Sequence, residues 1–454
     1  MKKINIKINS KEVVNNDIFI AIRGDSFDGH DFINEAIENG ASLIICEKCD
    51  FDFPHIIVRD TKEYLKEYIY KNYYAFVKDI SLIGLTGTNG KTTTAYFIYD
   101  LLKKFNIKCA YIGTLGFYTD KKICDLNNTT PNIIELYNIL IECKNSDIKT
   151  VVMEVSSHAL DMDRVYGLKY DYVIFTNLTK DHLNYHLNMQ NYLNAKRKLF
   201  NMKKENGIGI VNVDDKYGKY FLDDNCITYG FNKSIYNILN YKLYLNKIIY
   251  RFKYNNKKYK VHINMPGKYN IYNSLVAIIV LKEMGYSLYS IINKFKKIDV
   301  PRGRMEIIKN SNSFIIIDYA HTPDAVNNVL KSAQQFKKRK IYTIIGCGGD
   351  RDRSKRSEMA NISVNMSDYV IFTSDNPRKE NLKNIINDMI CNLNKNNYEI
   401  CLDRKDAIRK GIDLLEKNDI LFILGKGHEE YQEIDNIKYH FNDKEEVLKY
   451  IKKL

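Results

Sequence analysis

Residues 86 to 92, TGTNGKT, set two glycines, a lysine and three hydroxyl side chains in an order that suits phosphate chemistry. Gly87 and Gly90 let backbone N–H groups turn inward around phosphates, and a helix opening just beyond them presents its positive end. Lys91 can neutralise the outer phosphates, and the Thr92 hydroxyl can hold Mg²⁺. The spacing departs from GxxxxGKT, because Leu85 stands where the first glycine belongs and the glycines fall at 84 and 87. An apolar strand before the loop and an amphipathic helix after it still predict an ATP or GTP site at Thr86, Gly87, Thr88, Asn89, Gly90, Lys91 and Thr92.

Other reactive residues also sit at the ends of apolar runs. Glu154 closes "VVM" and suits Mg²⁺, directly or through water. Ser156, Ser157 and His158 follow it, but no G-x-S-x-G elbow supports a serine hydrolase. His182 and His186 have the i, i+4 spacing of a helical zinc pair, without the H-E-x-x-H pattern or an evident third ligand. Extra Mg²⁺ ligands for a phosphate-loop enzyme explain them more simply. Lys196, in "YLNAKRKLF", reads by itself as part of a basic surface helix. "TSDNPRKE" (373 to 380) ends a buried strand at Pro377, and by itself predicts a turn with an Asp375–Arg378 surface ion pair.

The elements that must position these residues alternate between strand and helix. "DIFIAI" (17 to 22), "SLIICE" (42 to 47), "SLIGLTG" (81 to 87), "TVVMEV" (150 to 155), "YVIFTN" (172 to 177) and "GIGIVNV" (207 to 213) read as buried strands. So do "SFIIIDYA" (313 to 320), "IYTIIG" (341 to 346), "YVIFTS" (369 to 374) and "ILFILG" (420 to 425). Such alternation predicts parallel α/β sheets, whose ligands bind at the carboxyl ends of the strands. From about 228 to 265, alternating tyrosine and lysine predict antiparallel hairpins.

At 454 residues the chain is too long for one ordinary core. Soft boundaries near 80 and 300 predict three domains, 1–80, 81–299 and 300–454. The formal charge of +14 is spread along a chain inflated in lysine, asparagine, isoleucine and tyrosine, a global bias that does not call for nucleic acid; acidic, phosphorylated substrates explain the charge equally well. "KKRK" (337 to 340) reads as a solvated loop. Nine cysteines without framework spacing predict reduced thiols, and Cys46-x-x-Cys49 lacks a second pair for a metal. No apolar run reaches bilayer length and no apolar stretch follows the two N-terminal lysines, so a cytoplasmic protein without a membrane partner is expected.

"TGTNGKTT", "NNTTP" (127 to 131), "MEVSSHAL", "FTNLTKDHLNYH", "AKRKLF", "GKYNIYNSLVA" (267 to 277), "GRMEII", "IIDYAHTPDA", "GCGGDRDRSKR", "DNPR" and "GKGHEEYQ" occur in this order. Together they resemble the Mur ligases, from about Asp17 to Phe441. The resemblance implies a three-domain α/β architecture, with a central phosphate-loop ATPase-like parallel sheet and a Rossmann-like C-terminal domain. It implies an ATP-dependent amide ligase of peptidoglycan synthesis, acting on UDP-N-acetylmuramoyl-L-alanyl-D-glutamate through an acyl phosphate. Asn270, Arg304, Asp318 and His321 would complete the ATP site. Ser10, Thr129, Thr130, Ser156 and Arg164 would hold the UDP substrate. Thr92, Glu154 and His182 would carry Mg²⁺, and Lys196 matches a lysine that the family carbamylates with CO₂, giving a carboxylate able to hold a second Mg²⁺. Catalysis would rest on Lys91, Glu154, His182 and carbamylated Lys196.

Arg351, Asp375, Asn376, Pro377, Arg378, Gly425 and Glu429 match the family's amino-acid pocket. An arginine at 378 can grip a second carboxylate with a bidentate fork, so the expected amine is meso-2,6-diaminopimelate or a close diamino diacid. Lysine, ornithine and lanthionine are the alternatives within the family; a folylpolyglutamate synthetase fits "DNPR" and "TTP" poorly. Two departures stand out: the family's "DSR"-like element is Asn9-Ser10-Lys11 here, and Met162 replaces a polar contact before Arg164. A monomer is expected.

Overall fold

The computed structural model describes residues 4–24 and 27–452. The first sheet has four strands, Ile6–Lys7, Asp17–Ile20, Ala41–Cys46 and His55–Ile57, parallel and side by side in chain order. The helix Thr61–Val77 follows. Its N-cap Asp60 accepts hydrogen bonds from the N–H groups of Lys62 and Glu63, a device worth about 1 kcal/mol. Leu65, Ile69 and Val77 face one way along it and join Leu136, Tyr137 and Leu140 of the helix Ile133–Asn145 in one apolar cluster. This contact carries the chain from the first sheet onto the second.

The second sheet has eleven strands, and its parallel middle places Ser81–Thr86 between Tyr170–Phe175 and Thr150–Glu154. All three are almost wholly apolar because helices cover both faces. Register sets Leu85 beside Glu154 and Thr86 beside Phe175. The phosphate loop, Glu154 and Thr176 therefore emerge at one level from neighbouring strands. Farther out, Tyr236–Leu243, Ile248–Tyr254 and Lys257–Ile263 form the antiparallel meander that the tyrosine–lysine alternation predicts. The helix Tyr269–Glu283 is buried nearly all round and packs against the helix Lys91–Lys104 that leaves the phosphate loop.

The third sheet orders its strands Glu306–Asn310, Ser313–Asp318, Ile420–Leu424, Ile341–Ile345, Tyr369–Phe372 and Tyr398–Ile400. All pairs are parallel except the first, which is antiparallel. A separate hairpin, Tyr431–Ile434 with Ile437–His440, lies beyond the last long strand. One apolar cluster runs from Leu275 and Ile279 of the second sheet's helix to Val326, Leu330 and Phe372 of the third domain. The basic run at 337 to 340 is a loop, but Arg339 in it pairs with Glu416 and the buried Asp419.

Candidate active site

The phosphate loop is held open by its neighbours. Gly90 adopts φ +86° and Gly87 +146°, conformations that L side chains rarely adopt, and a Cβ at Gly87 would overlap the Thr176 hydroxyl. That hydroxyl instead donates to the Asn89 carbonyl at 2.7 Å, while Asn177 Oδ1 accepts from Asn89 N at 2.9 Å. The Lys91 ammonium folds back onto the carbonyls of Gly87 and Thr88, at 2.8 and 2.9 Å. Burial holds it below the usual lysine range, against the opposing pull of Glu154 and Asp181. These carbonyls are a provisional berth, because a polyphosphate would offer the ammonium a stronger partner.

Glu154 is fully buried. Its Oε1 accepts from the Tyr111 hydroxyl at 2.6 Å and Thr114 N at 2.9 Å, and its Oε2 accepts from the Thr92 hydroxyl at 2.9 Å. Arg304, from the third domain, donates to that same Thr92 oxygen at 3.1 Å. Lys196, 1% exposed, is not on the surface as its helix alone suggests. Its Nζ donates to the Gly87 carbonyl at 2.8 Å and stands 4.5 Å from the centre of the Tyr192 ring. Burial and then the charge of Lys91 hold this ammonium well below its usual range, which favours the neutral amine. So Lys91 and Lys196 meet at one carbonyl. The surrounding protein likewise disfavours a charged His182, whose ring packs edge-on to His158 at 4.9 Å. His186 is hydrogen-bonded to Ser157 Oγ at 2.9 Å.

The donors suit Mg²⁺ in a particular way. A buried carboxylate, a threonine hydroxyl and a neutral imidazole are oxygen and nitrogen donors, whereas Lys196 as an ammonium repels a cation. Among the described residues no three His, Cys, Asp or Glu side chains converge on one point. Mg²⁺ held by such donors would complete its shell with phosphates and water.

A cavity of about 560 Å³ opens between the second and third domains. Asn89, Gly90, Arg304, Asp318 and His321 line it, as does Asn273. Asn270 does not: it is fully buried, its Nδ2 on the Pro266 carbonyl at 2.6 Å and its Oδ1 accepting from Asn273 at 2.9 Å. In N-x-x-N it is the second asparagine, Asn273, a helical turn after Asn270, that faces the cavity. Asp318 accepts from the N–H groups of Met305 and Ala320, both at 2.8 Å. Burial, reinforced by Lys355, holds His321 neutral, with a pKa pushed down to about 4. Tyr319 lies under the Arg304 guanidinium at 4.6 Å, and Asp324 accepts from Asn89 at 2.7 Å across the domain boundary.

Thr129, Thr130, Ser156 and Arg164 gather on the far side of Glu154. The Thr130 hydroxyl donates to the Glu154 carbonyl at 2.9 Å, and Arg164 donates to the Thr130 carbonyl at 3.1 Å. Thr129 shares a 3.2 Å hydroxyl contact with Thr114, and Ser156 caps the helix Ser157–Asp161. Met162 turns its sulfur to Arg164 at 3.4 Å. Ser10 lies in the first domain, its hydroxyl donating to Glu35 Oε2 at 2.5 Å.

At the carboxyl ends of the third sheet, Asp375 to Arg378 and Gly425 to Glu429 face each other. Asn376 donates to Glu429 at 2.8 Å and accepts from the buried Lys426 at 2.9 Å. Burial and then Asp375 raise the Glu429 carboxyl. A Cβ on Gly425 would press on the Asp375 carboxylate at 2.5 Å. The ion pair expected between Asp375 and Arg378 does not form. Arg378, at φ +54°, pairs with Glu433 at 3.1 Å and donates to the Gly349 carbonyl at 2.8 Å. Arg351 is exposed at the mouth of this region. Two residues missed in the sequence hold the loops: buried Arg404 donates to the carbonyls of Ser374 and Leu424, and Arg356 grips Glu380 with both terminal nitrogens.

A phosphate loop facing a second α/β domain across a nucleotide-sized cavity defines a nucleotide-using enzyme. Comparison with known proteins narrows this class. Residues 4–74 match the Mur ligase family catalytic domain, 85–281 the Mur ligase middle domain, and 303–427 the Mur ligase glutamate ligase domain. The chain is 38% identical to UDP-N-acetylmuramoyl-L-alanyl-D-glutamate–2,6-diaminopimelate ligase 1 of Clostridium acetobutylicum, covering 99% of this chain and 95% of that protein. It is 41% identical to the corresponding ligase of Aquifex aeolicus, covering 97% and 92%. A solved structure of a ligase with that same activity in its name superposes with a TM-score of 0.69 at 29% identity, over 100% of this chain and 95% of that one. The MurF ligase of Thermotoga maritima in complex with ADP shares the fold, with a TM-score of 0.68 at 19% identity over 100% and 99% of the two chains. The chain belongs to the Mur ligase family.

Proposed function

We propose that this protein is an ATP-dependent ligase that joins meso-2,6-diaminopimelate to UDP-N-acetylmuramoyl-L-alanyl-D-glutamate during peptidoglycan synthesis. The observation that carries the reading is near-full-length identity of 38–41% to ligases named for that reaction. The site fits it: Lys91, Glu154 and Lys196 surround one loop, and Arg378 stands among the acidic and amide groups of a second. The domains that divide the work are 1–80 for the UDP substrate, 81–299 for ATP, and 300–454 for the amino acid.

The γ-carboxylate of the D-glutamate attacks the γ-phosphorus of ATP, ADP departs, and an acyl phosphate forms. The amine then attacks the acyl carbon, loses a proton, and phosphate leaves from the tetrahedral intermediate. Lys91 leaves its carbonyl berth to offset the repulsion between the carboxylate and the triphosphate. Asn273, Arg304, Asp318 and His321 surround the nucleotide, whereas Asn270 acts through Asn273. Thr129, Thr130, Ser156 and Arg164 orient the muramoyl dipeptide, with Ser10 reaching it from the first domain. Asp375, Asn376, Pro377, Gly425, Glu429 and Arg351 frame the incoming amine. Alignment of three substrates away from water is worth roughly 7–11 kcal/mol.

Thr92, Glu154 and His182 would hold Mg²⁺, which supplies charge neutralisation at the phosphates. Neutral Lys196 would take up CO₂ to give a carbamate and a proton, turning an uncharged amine into a carboxylate able to hold a second Mg²⁺. The enzyme acts in the cytoplasm, where nucleotide-linked substrates are available, and it acts as a monomer. Phosphate release measured with ATP, the UDP dipeptide and a panel of diamino acids tests the reading. Turnover with meso-diaminopimelate far above lysine, ornithine and lanthionine is expected; preference for another amine reassigns the enzyme within its family.

A further inference from the structure

The hairpin Tyr431–Ile434 and Ile437–His440 packs against the loop that carries Arg378. Gln432 donates to Ser374 Oγ and to the Asp375 carbonyl, both at 2.8 Å. Glu433 N donates to Asn376 Oδ1 at 3.0 Å, Arg378 N donates to the Glu433 carbonyl at 3.0 Å, and Asp435 N donates to the Arg378 carbonyl at 2.8 Å. Arg378 thus sits in a left-handed conformation, rare for a non-glycine residue, because the hairpin pins its backbone on both sides. Its side chain is fastened too. Glu433 Oε2 takes Nε at 3.1 Å and the Gly349 carbonyl takes Nη1 at 2.8 Å.

We propose that Glu433 is a specificity-determining positioning residue that aims the Arg378 guanidinium at the far carboxylate of the incoming diamino diacid. This inference rests on the amino-acid assignment proposed above. A guanidinium has five N–H donors, and it can meet a carboxylate side-on through Nε and Nη2 or end-on through Nη1 and Nη2. Glu433 occupies Nε and so closes the side-on approach. Nη2, with no hydrogen bond among the described residues, is left together with the second Nη1 hydrogen. The pair is about four-fifths buried on each side, so its geometry is sheltered from solvent exchange. An amine with no far carboxylate has nothing to gain from this arrangement. Glu433 therefore raises discrimination, whereas a residue that only stabilised the hairpin would affect all amines alike.

The test compares the full-length protein with Glu433→Ala and Glu433→Gln, using phosphate release with meso-diaminopimelate and with L-lysine and monitoring thermal unfolding. Glu433→Ala is expected to raise KM for diaminopimelate roughly tenfold, the equivalent of about 1.4 kcal/mol, with KM for ATP and the lysine rate unchanged. Glu433→Gln, which keeps an acceptor for Nε, should restore KM to within about twofold. Unchanged KM in Glu433→Ala, equal losses with both amines, or a Gln variant as poor as the Ala variant would overturn the inference while leaving the ligase assignment standing. Absence of turnover by the unaltered protein with diaminopimelate would overturn both.

Discussion

Lys196 and Arg378 show how one side chain changes meaning with its surroundings. Lys196 belongs to a segment whose sequence reads as a basic surface helix, yet it is buried against Gly87 and Tyr192 with its charged form disfavoured. A buried amine kept neutral is nucleophilic, and the carbamate formed with CO₂ would restore a charge of the sign that the cation site needs. Lys196→Ala should lower phosphate release at least about tenfold, and millimolar formate or acetate should recover part of it, since either supplies the missing carboxylate. Lack of recovery would show that the lysine acts as an amine. For Arg378, loss of a charge-assisted hydrogen bond costs about 1.5–3 kcal/mol. Arg378→Ala should therefore reduce kcat/KM for diaminopimelate roughly ten- to hundredfold, with lysine use little altered. Equal losses for the two amines would remove Arg378 from amine recognition.

At the scale of elements, the strands deliver and the buried ion pairs fix. Arg404 is fully buried against Asp443 at 2.7 Å and ties the ends of Tyr369–Phe372 and Ile420–Leu424, from which the loops carrying Asp375–Arg378 and Gly425–Glu429 spring. Arg404→Met strands a buried carboxylate and should cost about 3–5 kcal/mol of stability in urea unfolding, whereas adding Asp443→Leu should return a large part of that. Additive losses would mean that the two residues act separately. Glu380 makes the neighbouring fastening. Its hydrogen bonds to Arg356 hold its carboxyl at about 2, below the usual value of 4.5. A pKa lowered by folding gives stability that is full above the ordinary carboxylate range and fades as pH falls toward about 2. Between pH 5 and pH 3 the unfolding temperature should fall more in the unaltered protein than in Glu380→Gln, and parallel falls would contradict the linkage. The long strands, the phosphate loop and the tyrosine–lysine meander were legible in sequence because burial on both faces or strict alternation leaves a periodic trace. His55–Ile57 and Tyr398–Ile400 were not, since three-residue edge strands owe their existence to a neighbour's hydrogen bonds. Arg404, Arg356 and Glu433 were equally hidden, because each meets its partner 24 to 55 residues away and follows no local spacing.

The whole molecule closes around its nucleotide cavity through a few contacts between the second and third domains, Asn89 with Asp324 and Thr92 with Arg304 among them. ATP bound there would touch both domains, and at a hundred times its Kd should stabilise the folded protein by about 2.7 kcal/mol. Arg304→Ala should weaken ATP binding and shrink that stabilisation at a fixed nucleotide concentration, measured by thermal unfolding. An undiminished shift would place Arg304 outside the nucleotide site. The same closeness reaches the loops behind Arg304, where Gly303 and Gly427 meet backbone to backbone, both at positive φ. A Cβ on Gly303 would strike the His428 amide, and one on Gly427 would lie 2.7 Å from the Gly303 carbonyl. Only His428 separates Gly427 from Glu429, and Arg304 directly follows Gly303. Arg304, which lines the cavity, and Glu429, which accepts from Asn376, are thus joined through a single bare backbone crossing. The two glycines act as one joint: neither can gain a side chain without pushing the two loops apart.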